Sequence, residues 1–254
     1  VFSVSSIQSA AFELKDGDRV TFLGDAFIER MQEYNHLELR LTVAWPDRNI
    51  TFRNLGWSGD TPRGVSRAGL SLQQAGREST DEGWKQLQKQ IALLKPTVVF
   101  LGYGMASSFK NQPELFSKNM RALKVAITKT AGVPVRFVVL SPLHHENLGD
   151  SLPDASMHNR QLAASTKELR VMAKTDGDVF VSLFDAPALV NSKRALTENG
   201  IHPVDHGYAV VAKEICRQLN VKEHARLNGP EATKLRALME RKNQLFFDRS
   251  RPQN

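Results

Sequence analysis

Five short runs of apolar and β-branched residues recur along this chain: Arg19 to Leu23, Ile50 to Asn54, Thr97 to Leu101, Val135 to Leu140 and Val179 to Leu183. Each is followed within two residues by Gly, Asp or Ser. Runs this short and this continuously apolar read as strands covered on both faces. Between them lie segments whose apolar residues return with helical period: Phe27 to Leu41, Glu82 to Leu94, Pro113 to Thr130 and Ala155 to Ala173. A further such segment, Asp205 to Leu219, follows the fifth strand. Parallel strands need long crossover connections, the crossovers are right-handed, and their helices cover both sheet faces. The alternation therefore predicts an α/β fold: a three-layer α/β/α sandwich around a central five-stranded parallel sheet, with a flavodoxin-like order. Boundary signals agree, with helix starts at Asp81-Glu82, Gln112-Pro113 and Pro203-Val204-Asp205, and a stop at Lys95-Pro96.

A chain of 254 residues with 41% hydrophobic and 24% charged residues can bury one large core. The expected organisation is an N-terminal arm over 1–17, a sandwich domain over 18–220, and a basic amphipathic helix with a tail over 221–254. Lys and Arg outnumber Asp and Glu by 34 to 27. Between Lys222 and Asn254, eight basic residues face four acidic ones, so +4 of the net +7 sits in the terminal segment. A charged helix accounts for that better than a nucleic-acid groove, because no aromatic residues interleave with the basic ones. Cys216 is the only cysteine, which excludes an intrachain disulfide and any cysteine-built metal cluster. No apolar run approaches the ~20 residues that span a bilayer. Val1 to Ala11 lacks the features of a signal peptide and suits the mature end left after one is removed, so the expected location is secreted or periplasmic. The other end leaves room for further domains of a longer protein.

In an open parallel sheet the ligand lies beyond the carboxyl ends of the strands. There the sequence places Gly24-Asp25-Ala26 after the first strand, Asn54 to Thr61 around the second, and Gly102 to Ser107 after the third. Asn199-Gly200-Ile201-His202-Pro203 precedes the helix that follows the fifth. Neither a Walker loop nor a dinucleotide fingerprint follows the first strand, which disfavours nucleotides; no cofactor is expected.

These blocks, in this order over roughly residues 18 to 220, resemble the SGNH/GDSL hydrolase superfamily. The best-matched parts are Asn54 to Thr61 and Gly200-Ile201-His202-Pro203 followed by Gly207-Tyr208. Phe52 to Thr61, together with the tail Lys242 to Asn254, resembles a subgroup found in planctomycete-type polysaccharide-degrading multidomain proteins. The resemblance implies an α/β/α sandwich that cleaves esters, often acyl groups on carbohydrates or lipids, so the expected ligand is a small molecule or carbohydrate.

Carried over residue by residue, the resemblance implies an incomplete site. The nucleophilic serine after Gly-Asp is replaced by Ala26, whose methyl can neither attack a carbonyl nor be activated. The oxyanion glycine corresponds to Gly59. The oxyanion asparagine falls at Ala106, beside Gly104. The acid three residues before the retained His202 is Asn199, with Glu198 adjacent as a possible substitute. Loss of one oxyanion donor typically costs ~10²–10³ in rate. A triad Asp→Asn change in a serine protease costs ~10⁴, chiefly through the wrong imidazole tautomer. Three explanations follow: an engineered loss of the serine, a noncatalytic carbohydrate binder in the old cleft, or another hydrolysis that uses Asp25, Asp60, Glu198 and His202, such as a glycosidase in which two carboxylates do acid and base work. The expected site residues are therefore Asp25, Ala26, Gly59, Glu198, Asn199 and His202, with Asp60, Tyr103, Gly104 and Ala106 against the ligand.

Plainer readings stand beside these. Asp25 can cap the following helix, Asp60-Thr61 can form a side-chain turn, and Ser107 and Ser108 can cap a helix. His144-His145-Glu146 is read as cleft rim; without a third histidine at helical spacing it predicts no metal. Trp57, Tyr103 and Phe109 serve either sugar stacking or the core. Cys216 is read as a buried structural thiol.

Overall fold

The computed structural model describes residues 12–67, 82–149, 151–224, 227 and 229–251. The expected helix start at Asp81, most of the N-terminal arm and the last residues of the tail lie outside them.

Five strands are present: β1 (Arg19–Gly24), β2 (Thr51–Asn54), β3 (Val98–Gly102), β4 (Arg136–Leu140) and β5 (Val179–Val181). They form one sheet in the order β2-β1-β3-β4-β5, with every pairing parallel. Val20 lies opposite both Phe52 and Val98. Side chains alternate across a strand, so the two faces can be read directly. Val98, Phe100, Val138 and Leu140 join Ile28, Leu41, Tyr208 and Ile215 on one face. Val99, Leu101 and Val139 join Leu87, Ile91, Met120 and Leu169 on the other. The first face is covered by α1 (Ala26–Tyr34), α2 (His36–Ala44) and α8 (Asp205–Gln218). The second is covered by α3 (Glu82–Leu94), α5 (Pro113–Ala131) and α6 (Ser156–Asp176). Burying a large apolar side chain is worth roughly 1.5–3 kcal/mol, so a sheet apolar on both sides is held only if both helical layers form. The expected α/β/α sandwich is what the chain adopts.

Three details differ from expectation. Phe27 to Leu41, read as one helix, is two. Asn35 takes the left-handed conformation (φ 55°, ψ 16°), and its N–H caps α1 on the Met31 carbonyl at 3.1 Å. Asparagine tolerates that region better than other side chains do, so the helix breaks there. The fifth strand stops at Val181 because Gln218 of α8 serves as its edge partner, accepting from Ser182 N (2.9 Å) and donating to Ser182 O (2.8 Å). Two short helices also interrupt loops, α4 (Met105–Ser108) and α7 (Pro187–Val190).

The terminal helix α9 (Pro230–Ser250) packs on α1, α2 and β2, where Ala232 and Met239 bury against Leu39 and Val43. Its cations meet local acids: Lys242 pairs with Glu38, Arg236 lies 3.7 Å from Asp205, and Arg251, just past its end, lies 2.5 Å from Glu29. Among the described residues, no helix is long and apolar enough to cross a membrane.

Candidate active-site cleft

Asp25 leaves β1 in extended geometry, with its N–H on Gly102 O at 3.2 Å. Its carboxylate caps α1 by accepting Phe27 N at 3.2 Å, and accepts Gly104 N at 3.2 Å. The amides of Met105 and Ala106 favour the charged form as well. Asp25 is thus both a helix cap and the tie between the turns after β1 and β3. Burial outweighs all of these donors and pushes its carboxyl up to about 6. Gly104, at φ 139°, supplies a backbone that other residues rarely adopt. Ala26 is the half-buried first residue of α1, and Ala106 is half-buried in α4.

The segment after β2 is laid against α1 by Asn54, whose amide donates to Ile28 O (2.6 Å) and accepts from Gly56 N (2.7 Å). Trp57 N then donates to Gly24 O at 3.0 Å, which brings Gly59 round beside the end of β1. Gly59 is exposed, at φ 69°. Asp60 and Tyr103, expected against the ligand, are instead enclosed. Asp60 accepts from Arg67 Nε (2.8 Å), the Tyr103 hydroxyl (3.4 Å) and Ser66 N (3.3 Å). Arg67 continues to Leu55 O (2.6 Å) and Gln90 (3.1 Å). A carboxylate and a guanidinium with no solvent exposure must satisfy one another, which turns both inward. Burial raises Asp60 even against Arg67.

The loop before α8 closes on itself, with a bridge between Thr197 and Pro203 and Glu198 N on His202 O at 3.0 Å. Asn199 Oδ1 accepts from Ile201 N (3.3 Å) and His202 N (3.0 Å). Two backbone donors thereby fix which way the amide points, and its NH₂ faces His202 Nδ1 at 3.1 Å. Nδ1 must accept, so the imidazole carries its proton on Nε2. Burial and Arg30 hold His202 below the ordinary imidazole value, so it is neutral at pH 7. Glu198 is 3.9 Å from Nδ1, but its stronger contact is Arg30 of α1 at 2.7 Å. That pair, with the Tyr208 hydroxyl on Phe27 O (2.8 Å), docks the His202 loop on the helix that begins at Ala26.

Asp25 and Gly104 are therefore in contact, while Gly59 and His202 are brought to the same sheet edge by loops anchored on β1 and α1. The rim reading of His144-His145-Glu146 needs correction at His145; His144 and Glu146 line a cavity with Leu143, Leu189 and Thr197. His145 is buried against His158, and Glu146 accepts from Leu196 N (2.9 Å) and Thr197 N (2.7 Å). Ser108 ends α4 rather than capping its start, and its hydroxyl meets His158. Phe109 is 59% exposed and stacks on His158; Trp57 lies under the Arg251 guanidinium at 4.1 Å. Cys216 is buried, which pushes its thiol up to about 12. Among the described residues, no three His, Cys, Asp or Glu side chains gather to hold a metal ion. Arg30, Arg67, His158 and Arg251 were not singled out in the sequence. Each acts across 7 to 195 positions of chain, with no local pattern to mark it.

No family model and no curated protein matches the sequence. Solved structures do match the fold. Axe2, an acetylxylan esterase from Geobacillus stearothermophilus crystallised as a catalytic mutant, aligns at TM-score 0.61 and 16% identity, over 83% of this chain and 98% of that one. A GDSL-like lipase from Parabacteroides merdae aligns at TM-score 0.62 and 15% identity, over 84% and 100%. BT4096, a gut microbial diltiazem-metabolizing enzyme, aligns at TM-score 0.62 and 19% identity, over 82% of this chain; the chain spans 48% of that protein's length. The fold is that of the SGNH/GDSL esterases and lipases.

Proposed function

We propose that this chain is a binding module on the SGNH/GDSL fold that holds an acylated carbohydrate or related ester in the cleft without forming an acyl-enzyme. The observation that carries the reading is the Asn199 amide on His202 Nδ1. It places the imidazole proton on Nε2, the atom that would have to accept a nucleophile's proton, and Ala26, at the position the resemblance gives the nucleophile, offers only a methyl. The donors of Gly104, Met105 and Ala106 are committed to Asp25. The carbohydrate part of the reading draws support from the name of Axe2, an acetylxylan esterase. Carboxylate chemistry has less support, because Asp60 is locked to Arg67, Glu198 to Arg30, and Asp25 is buried as a cap.

The test is titration calorimetry with acetylated and deacetylated xylo-oligosaccharides, alongside an assay for released acetate. Acetyl-dependent binding without release is the expected result. Release of acetate that His202→Ala abolishes would overturn the reading.

A further inference from the structure

Ser108, His158 and His145 form an unbroken chain of buried side chains between the turn after β3 and the His202 loop. Ser108 Oγ lies 2.7 Å from His158 Nε2, and His158 Nδ1 lies 3.0 Å from His145 Nδ1. His145 in turn packs on Gly200, two residues before His202. A Cβ on Gly200 would sit 2.7 Å from the imidazole, and the residue has φ 88°. Nothing in the chemistry of a serine esterase site uses these three groups.

Their protons can be placed from the partners. The Ser108 hydroxyl donates to Met105 O at 2.8 Å, and Met105 O also faces the His158 ring. His158 Nε2 therefore carries a proton and donates to Ser108, which leaves Nδ1 as a lone pair. His145 Nδ1–H donates into that lone pair, and His145 Nε2 is the one remaining basic atom. The pair can take one proton there with its bond intact. A second proton puts N–H against N–H at 3.0 Å, and the bond must break.

We propose that Ser108, His158 and His145 are a proton-operated latch that fixes the spacing between the turn after β3 and the loop carrying His202, and that it opens when the histidine pair takes up its second proton. The groups facing it set the direction. Burial leads in holding both imidazoles below their ordinary value; protonated His144 on the β4 loop opposes charge on His145, and His145 in turn opposes charge on His158. Exposed Asp154, ahead of α6, favours charge on His145. Glu146 is turned to Leu196 and Thr197, Glu198 to Arg30, and His202 to Asn199, while α4 brings no titratable side chain. The latch is closed at neutral pH and opens on acidification below the ordinary imidazole range.

The test is side-chain ¹⁵N NMR of the whole chain and needs no ligand, so its outcome is separate from the binding reading. At pH 7.5, His158 is expected as the Nε2–H tautomer and His145 as the rarer Nδ1–H tautomer. On acidification the pair is expected to titrate in two linked steps, with the amide resonances of Phe109 and Gly200 moving together on the second. His158→Gln is expected to abolish that shared step. Ser108→Ala, a small change that leaves the histidine pair in place, is expected to weaken it at Phe109, whose ring still stacks on His158, and leave it unchanged on Gly200. His145 found as Nε2–H at neutral pH, two independent ordinary titrations, or loop resonances that ignore the pair would each overturn the proposal.

Discussion

Ala26→Ser alone should not produce an esterase, whereas Ala26→Ser with Asn199→Asp should begin to. The serine supplies a nucleophile at the first residue of α1, but it meets an imidazole whose Nε2 already holds the proton. Asn199 enforces that tautomer because Ile201 N and His202 N, at 3.3 and 3.0 Å, turn its oxygen to the backbone and its NH₂ to the ring. An aspartate keeps an oxygen for those two backbone donors and presents a second oxygen to Nδ1, so the ring proton moves to Nδ1 and Nε2 becomes a base. The tautomer effect in a serine protease is ~10⁴, which is the gain expected for the double variant over Ala26→Ser. The oxyanion donor missing at Ala106 still withholds ~10²–10³, less than additively. Hydrolysis of p-nitrophenyl acetate and acetate release from acetylated xylo-oligosaccharides measure the gain, with added His202→Ala as control. If Ala26→Ser by itself equals the double variant, or if the control stays active, the tautomer argument fails.

The Asp25 carboxyl, raised to about 6 against an unfolded value near 3.9, keeps its proton in the folded state across pH ~4–6. Stability is then fully present below about pH 4 and falls by roughly 3 kcal/mol as pH rises through 6. Urea titrations at pH 4 and 7 should show that this component is missing from Asp25→Asn, whatever the variant's absolute stability. Arg67→Leu strands the Asp60 carboxylate in the core and should cost about 3–5 kcal/mol, while Arg67→Leu/Asp60→Leu should recover most of it; equal losses in both would show that packing, not charge, is at stake. Gly200→Ala forces a Cβ into left-handed backbone against His145 and should lower stability by on the order of 1–3 kcal/mol, with the largest chemical-shift changes at His145; an unchanged melting curve would contradict the close approach.

Periodicity made the sandwich legible because it reports which faces are buried, and a parallel sheet covered twice leaves an unmistakable pattern in runs such as Val98 to Leu101. The break at Asn35 was visible only as one polar residue inside a helical period. Its left-handed backbone and its contact with Asn243, 208 positions away, belong to tertiary structure. Residue types at the strand ends singled out Asp25, Gly59, Gly104 and His202, of which Asp25 and Gly104 are in contact. What could not be read was which way each side chain turns. Asp60 looks from sequence like a polar group at a cleft, and becomes a core residue only because Arg67 reaches it. His145 and His158 are 13 apart and meet because the loop after β4 is tied to the first turn of α6 by Asn159.

The contact of Arg251 with the β2 turn has a consequence for how the molecule is made. Its guanidinium bonds Gly56 O and covers Trp57, 195 positions away from Gly56, and α9 behind it is seated on α1, α2 and β2. During synthesis the first strands and helices emerge long before their cover does. The sheet can assemble from local crossovers, but the turn that carries Gly59 acquires its final hold only after residues beyond 230 exist and have crossed back over the finished layers. Closing so long a loop adds little to the equilibrium cost and much more to the time required. A nascent chain halted before Pro230 should therefore display a formed sheet with a protease-sensitive β2 turn, which makes this turn the last part of the cleft to mature.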